Sequence, residues 1–228
     1  MSAANLRARV RAEMTEEIKT VARRHLATDG ANLSLRAVAR DLAMASSAVY
    51  RYFASRDELL TALIIDAYDA VGERAEQAAG RGATPLAKWL AAGHAVRDWA
   101  LEHPHEWALI YGSPVPGYQA PQNTVVPATR VLLLLGATLA EAYHAGQLTE
   151  PATTTTGGYA DELTELAATY YPGLPGWVVG ATISGFFHLC GAISSELFGQ
   201  LNHSVDGDRR GFFEFQMRGA GRLAGLVG

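Results

Sequence analysis

Between residues 33 and 60, LSLRAVARDLAMASSAVYRYFASRDELL, apolar positions fall into three short helical registers. Leu35, Val38, Ala39 and Leu42 recur at i, i+3, i+4 and i+7 and predict one buried face. Ser34 stands just ahead as an N-cap, its hydroxyl able to accept from an orphan N–H one turn in. A second short helix is predicted over 46–52, with Val49 and Phe53 turned back into the same core. Ser55-Arg56-Asp57-Glu58 then reads as a capping box, Ser55 serving the third N–H and Glu58 reaching back to the N–H of Ser55. It opens a longer helix whose stripe runs through Leu59, Leu60, Leu63, Ile64, Ala67 and Val71 toward residue 79. Three apolar faces sharing one core leave Ser46, Ser47, Tyr50 and Arg51 facing outward. Spacing alone describes a helix-turn-helix and a plain helical corner equally well.

The remaining pattern is helical as well. A helix over 15–28 carries Ile18, Val21, Ala22 and Leu26, with Arg23, Arg24 and His25 mostly on its solvated side. Ahead of it, residues 1–12 hold Arg7, Arg9 and Arg11 and no acid, which fits either a frayed terminus or an arm adding phosphate or minor-groove contacts. Thr84-Pro85 starts a helix that runs to about residue 102, and Pro104 forces a boundary before a shorter one. A proline-containing loop covers 112–123, and Pro127 opens a helix through Val131, Leu135, Leu139 and Tyr143. Residues 146–158, with threonines at 153–156, read as a connector to a short helix over 160–171. A long apolar helix over 176–198 and a final helix bearing Phe212, Phe215, Gly219, Leu223 and Leu226 complete an all-α chain.

Composition narrows this. At 228 residues, 49% of them hydrophobic and 18% charged, the chain can bury one large core or two smaller ones. No opening segment has the form of a signal peptide. The apolar run 177–193 contains His188 and Cys190 and falls short of membrane-spanning length, so a buried helix and no membrane are expected. Cys190 is the only cysteine, which suits a reducing cytoplasm and inert packing. The net charge of −4 is divided unevenly, +3 over residues 1–60 and −7 over the rest. A basic head on an acidic body suits a protein that meets phosphates at one end.

The helix over 176–198 is apolar nearly all round, and Gly180, Gly185 and Gly191 lower its helix propensity, which asks for a packing reason. One solution is a homodimer pairing the last two helices through Trp177, Ala181, His188, Phe212, Phe215, Gly219 and Leu223. The other is that they form the core of a single subunit.

The run Leu35-Arg36-Ala37-Val38-Ala39, then Ala48-Val49-Tyr50-Arg51-Tyr52-Phe53 and Ser55-Arg56-Asp57-Glu58-Leu59-Leu60, makes residues 13–60 resemble the DNA-binding domain of the TetR family of transcriptional regulators. The resemblance implies a head over 1–56 and a ligand-binding and dimerisation body over 57–228. It implies that Ser34 and Arg36 open a phosphate-contacting helix and that Ser46, Ser47 and Arg51 belong to the recognition helix. Tyr50 and Arg56 take the places of phosphate contacts. Two positions depart from the family: Ala43 where a turn glycine is usual, and Ala45 where a Ser or Thr caps the recognition helix, unless Ser46 takes that role.

Residues 104–112, PHEWALIYG, resemble a C-terminal domain type common in actinobacterial members, in which an apolar cavity lies between central helices. Candidate lining residues are Trp89, His94, Trp99, Trp107, Tyr111, Tyr143 and His188. The implied partners are double-stranded DNA carrying a pseudo-palindromic operator, a small apolar or amphipathic effector, and a second copy of the chain. No catalytic residue, metal or cofactor is expected: His103, His105 and Glu106 lack a third ligand at metal spacing, and no glycine-rich loop joins a strand to a helix. An architectural DNA protein without ligand response, and a ligand binder that has lost operator reading, remain as alternatives.

Overall fold

A computed structural model of the chain describes residues 3–30, 32–150 and 157–227. Among them lie ten α-helices: α1 Ala3–Asp29, α2 Leu35–Asp41, α3 Ser46–Val49, α4 Arg56–Ala79, α5 Pro85–Glu102, α6 Pro104–Tyr111, α7 Val125–His144, α8 Gly158–Tyr170, α9 Gly176–Leu197 and α10 Arg209–Leu223. The threonines at 153–156 lie outside the described residues. The chain divides into two compact units, Met1–Tyr68 with His103–Val125 and Asp69–Glu102 with Val126–Gly228. The line expected at 56/57 falls at the first residue of α4, and α6 and the proline-containing loop belong with the first unit.

In the first unit Ile18, Val21 and Leu26 of α1 meet Leu35 and Val38 of α2, Val49 of α3, Phe53, and Leu59 and Leu63 of α4 in one buried cluster. Leu42 and Leu109 pack against it half-buried. Each such side chain contributes about 1.5–3 kcal/mol when withdrawn from water, and these residues recur from four helices, so the cluster fixes their mutual positions. Ser34 caps α2 as predicted, accepting from the Ala37 N–H at 3.4 Å.

The turn between α2 and α3 resolves the glycine question. Ala43 adopts φ +52°, in the left-handed region. The Ala43 N–H donates to the Arg40 carbonyl at 3.0 Å and the Met44 N–H to the Ala39 carbonyl at 2.9 Å, the paired bonds of a Schellman ending. The turn therefore keeps its geometry and accepts the strain that a Cβ brings there.

The second unit packs α9 against α8, α10 and α5. Trp89 of α5 is its fully buried centre, its indole N–H donating to the Met217 carbonyl at 3.0 Å. A Cβ at Gly185 would collide with the Trp89 ring, and one at Gly180 would stand 2.8 Å from Leu163 of α8. Gly176 likewise lies against the α8 backbone at Leu163 and Thr164, so three of the four glycines in α9 serve packing within the chain, while Gly191 faces open space. Beside this core the Arg97 guanidinium donates twice to Glu196, Nη2 to Oε1 at 2.6 Å and Nε to Oε2 at 2.7 Å. Both side chains are buried, and Arg97 also lies over the Phe213 ring.

Three expectations change. Helix α1 begins at Ala3, twelve residues before the predicted start at 15, so Arg7, Arg9 and Arg11 stand on regular helix and the frayed-terminus reading falls away. Helix α3 ends at Val49 and the chain continues through Tyr52 in tighter turns, where helix was expected to residue 52. At 22 residues α9 does reach the length and hydropathy of a membrane-crossing helix, as does the stretch Gln122–His144. Core helices pass the same test, and the ion pair from Glu196 to Arg97 seats α9 within the helical body.

Replacing Ala43 by glycine relieves the left-handed strain and should raise stability by about 1 kcal/mol, a Tm gain of roughly 2–4 °C in a chain of this size; thermal unfolding followed by circular dichroism checks it.

His94 gives a second handle. Its Nδ1 is buried without a partner, its Nε2 stands 3.6 Å from Glu214, and Phe213 packs edge-on against the ring. Burial, then the charge of Arg210, push its pKa below the ordinary 6.5, against the weaker pull of Glu214 and Asp98. The native state refuses a proton that the unfolded chain accepts, so this contribution is complete above pH 6.5 and is lost as pH falls toward the lowered native value. Tm should therefore decline from pH 7.5 to 5.5, and His94→Gln should flatten that decline.

Candidate nucleic-acid interface

Helix α3 is one turn long, and its anchoring decides what it presents. Val49 is fully buried and Phe53 nearly so, pinning one side of the element. Ser46, Ser47 and Arg51 lie exposed on the other side, and Tyr50 is 45% exposed. The N-cap is Ala45, with no side-chain bond, and Ser46 does not move into the role. Helix α3 therefore begins at Ser46, with Ser46 and Ser47 its first two residues and no side-chain cap at its N-terminus.

Around this tip stand the other candidates. Ser34 and Arg36 are exposed at the start of α2. Arg56 opens α4 half-buried, with Nη1 3.2 Å from Asp57. The capping box forms with one shift: the Glu58 N–H donates to Ser55 Oγ at 3.1 Å, while the Glu58 carboxylate accepts from the Ala54 N–H at 2.6 Å, one residue earlier than predicted. All seven predicted DNA-facing residues lie in one unit, on or directly flanking three consecutive helices: Arg36 on α2 with Ser34 its cap, Ser46 and Ser47 on α3, Tyr50 and Arg51 in the turn that follows it, and Arg56 on α4. Such a tip can approach a groove closely while flanking arginines and hydroxyls meet phosphates.

Two further features stiffen this unit, and neither has a local sequence signal. Asp66 of α4 accepts from both Lys19 and Arg23 of α1, and Glu106 of α6 accepts from Arg23 at 3.2 Å and lies 3.0 Å from His103. Arg23 is thus committed to ion pairs inside the unit where a solvated side chain was expected. The Thr61 and Tyr118 hydroxyls share a hydrogen bond of 2.9 Å that docks the proline-containing loop onto α4.

The seven candidate ligand contacts are divided between the two units. Trp107 and Tyr111 lie in the first unit, Trp107 fully buried and the Tyr111 ring tilted against it at 4.5 Å, with Tyr68 edge-on to Tyr111. Trp89 and Trp99 fill the core of the second unit, His94 is half-buried there, and Tyr143 and His188 are exposed. The second unit instead has a groove of about 290 Å³ bordered by Arg74, Gln77, Ala78 and Arg81 of α4 and its end, and by Ala95, Asp98 and Glu102 of α5. It is a charged lining in which Arg74 and Glu102 pair at 2.7 Å.

The dimer candidates divide. Phe215 and Leu223 of α10 are 72% and 75% exposed and His188 of α9 is exposed, whereas Trp177, Ala181, Phe212 and Gly219 are half-buried. Sequence reasoning missed Phe187, 66% exposed on α9. Cys190 is inert, its thiol pushed up to about 12 by burial. Among the described residues no three His, Cys, Asp or Glu side chains are grouped to hold a metal.

Comparison with known proteins places these features. A sequence profile described as bacterial regulatory proteins, tetR family, matches residues 18–63, and one described as tetracyclin repressor-like, C-terminal domain, matches residues 89–220. The chain is 38% identical over 216 residues to the HTH-type transcriptional regulators Rv1816 of Mycobacterium tuberculosis and Mb1846 of Mycobacterium bovis, covering 91% of this chain and 91% of each relative. The crystal structure of the regulatory protein SCO4313 superposes with a TM-score of 0.76 at 34% identity, covering 93% of this chain and 97% of that one. A tetR-family regulator from Rhodococcus RHA1 shares the fold at a TM-score of 0.65 and 14% identity, over 94% and 98% of the two chains.

The arrangement separates two kinds of contact by experiment. Arg56→Ala should weaken binding to all duplexes alike and flatten the dependence of log affinity on log salt by about 0.9. Ser47→Ala and Arg51→Ala should instead change which sequence is preferred, Arg51 by about 1–3 kcal/mol at its preferred base. Titrations of specific and random duplexes across a salt series distinguish the two outcomes, and equal losses from all three variants would remove the assignment of base readers.

Proposed function

The chain belongs to the TetR family of bacterial regulatory proteins and is a DNA-binding regulator, not an enzyme; from that premise we propose that it is a dimeric repressor that releases a pseudo-palindromic operator when a small amphipathic or apolar molecule enters its body. The observation that carries the reading is the outward set Ser46, Ser47, Tyr50 and Arg51 on a one-turn helix and the turn that follows it, pinned by Val49 and Phe53. A groove in B-DNA admits such an element, and its hydroxyl, phenol and guanidinium groups suit base edges and phosphates.

Dimerisation would use the apolar face that α9 and α10 leave open. Phe187, Phe215 and Leu223 stand there, with Gly191 and Gly219 meeting nothing within 4 Å. A two-fold axis through that face would pair like with like and give two heads for two half-sites about one helical turn apart. The place of action is the cytoplasm, where a bacterial operator is found.

Effector response would run through α4. One unbroken helix carries Arg56 in its first turn and Arg74, Gln77 and Ala78 on the groove in its last turns. A molecule with a polar end matched to Arg74, Arg81, Asp98 or Glu102 would bias the position of the same rod that presents Arg56. The fold relative RolR, at 19% identity and a TM-score of 0.54, has been crystallised with resorcinol, which supports small-ring binding as a capacity of this fold. Ligand and operator would then oppose one another reciprocally.

Selection from a pool of random duplexes should recover an inverted repeat, bound by a dimer in gel filtration. A panel of small amphipathic aromatics should contain compounds that lower operator affinity. Equal affinity for every duplex at matched salt would make the protein architectural, and no duplex binding at all would leave only a ligand binder.

A further inference from the structure

Helix α1 reaches the reading helix through one side chain. Arg11 Nη2 donates to the backbone carbonyl of Arg51 at 3.1 Å, and its guanidinium carbon stands 5.1 Å from the centroid of the Tyr52 ring. Arg51 and Tyr52 sit where regular helix has already ended: the Arg51 N–H bonds the Ala48 carbonyl, and the N–H groups of Tyr52 and Phe53 both bond that of Val49. Carbonyls at a helix end lack intrahelical donors, and here the donor for Arg51 comes from forty residues away. A guanidinium is suited to this because it donates in its own plane while its face lies on an aromatic ring.

The side chains involved in reading leave the same turn. Tyr50 and Arg51 are consecutive, both exposed, and the carbonyl that Arg11 holds is that of Arg51 itself. The other end of α3 has no side-chain cap, since Ala45 occupies that place. Arg11 in turn sits on a continuous helix whose later residues Ile18, Val21 and Leu26 are anchored in the core. A clasp from a rigid element therefore adds a distant bond at the exit of an element whose entry has no side-chain cap.

We propose that Arg11 is a positioning residue for DNA reading: it holds the exit of the recognition turn through the Arg51 carbonyl and the Tyr52 ring, and so fixes the direction in which Tyr50 and Arg51 enter the groove. This rests on the DNA-reading function above but assigns Arg11 a role distinct from an arm that grips phosphate. A phosphate contact needs only charge, whereas a clasp needs a planar donor in a set orientation.

Arg11→Ala and Arg11→Lys test it in two arms. In the free protein, amide exchange across residues 50–54 should speed up in both variants while exchange in α9 stays as in the parent. On DNA, both should lose about tenfold in affinity for the selected operator, equivalent to 1.4 kcal/mol, with random-duplex affinity and the salt slope unchanged. Rescue by lysine, or equal losses on both duplexes with a slope flatter by about 0.9, would make Arg11 a phosphate contact and overturn the proposal. Unchanged exchange at 50–54 would overturn it without reference to DNA, so a protein that selects no operator would sink the regulator reading while the clasp is still decided.

Discussion

The burial of Val49 and Phe53 is the constraint from which the DNA-facing surface follows. A helix of four residues cannot stand by itself, because the first turn fixes several dihedrals for a single hydrogen bond. Helix α3 exists because Val49 is enclosed by α1, α2 and α4, and the outward direction of Ser46, Ser47, Tyr50 and Arg51 is the geometric complement of that burial. Local aids are weak here. The turn ahead of it holds an alanine at φ +52° where glycine relaxes, and the cap position offers no oxygen. Both omissions lower the intrinsic stability of the element and raise its dependence on distant contacts, of which the Arg11 bond to Arg51 is the most direct.

A different logic organises the body. Its aromatic residues look in sequence like the walls of a cavity, yet Trp89 is spent on closing the space between α5, α9 and α10, over Gly185 and Gly221. The same region buries a bidentate pair between Arg97 and Glu196. Removing two charges from water is costly, so a pair like this is weak ground for a stability claim, but leaving either partner alone would cost about 3–5 kcal/mol. With α5 and α9 registered by that pair, Phe187 on α9 and Phe215 and Leu223 on α10 are among the apolar side chains of this unit that remain in solvent.

How much of this was legible follows from the range of each interaction. Periodicity located α2, α4, α5, α9 and α10 because their apolar faces repeat within one helix, and the capping residues Ser34 and Ser55 were readable because their partners are three residues away. The extension of α1 back to Ala3 was not, since Leu6 and Val10 are exposed and leave no buried stripe to follow. The placement of Trp107 and Tyr111 in the first unit depends on which element α6 packs against, which no local pattern encodes. Arg97 with Glu196, Arg23 with Asp66 and Arg11 with Arg51 join residues far apart in sequence, so no local pattern announces them.

Helix α4 shows what those long-range pairs accomplish together. Its acidic residues are divided between two sets of cations: Asp66 accepts from Lys19 and Arg23 of α1, whereas Asp69 and Glu76 accept from Arg130 of α7. Asp66 and Asp69 are neighbours at i, i+3, so the change of partner takes place within one turn, where the chain passes from one compact unit to the other. A helix bends sharply only where a proline, a small residue or a break in its ladder allows it. The one glycine nearby, Gly72, lies directly under the Arg130 side chain, where even a Cβ would stand 2.9 Å away, and the clamp closes over that weak point. The Glu76 and Asp69 carboxylates hold the Arg130 guanidinium firmly in its charged form, and Arg130 in turn holds the Glu76 carboxyl below its ordinary range. Helix α4 is thereby held by ion pairs within each unit, to α1 in the first and to α7 in the second.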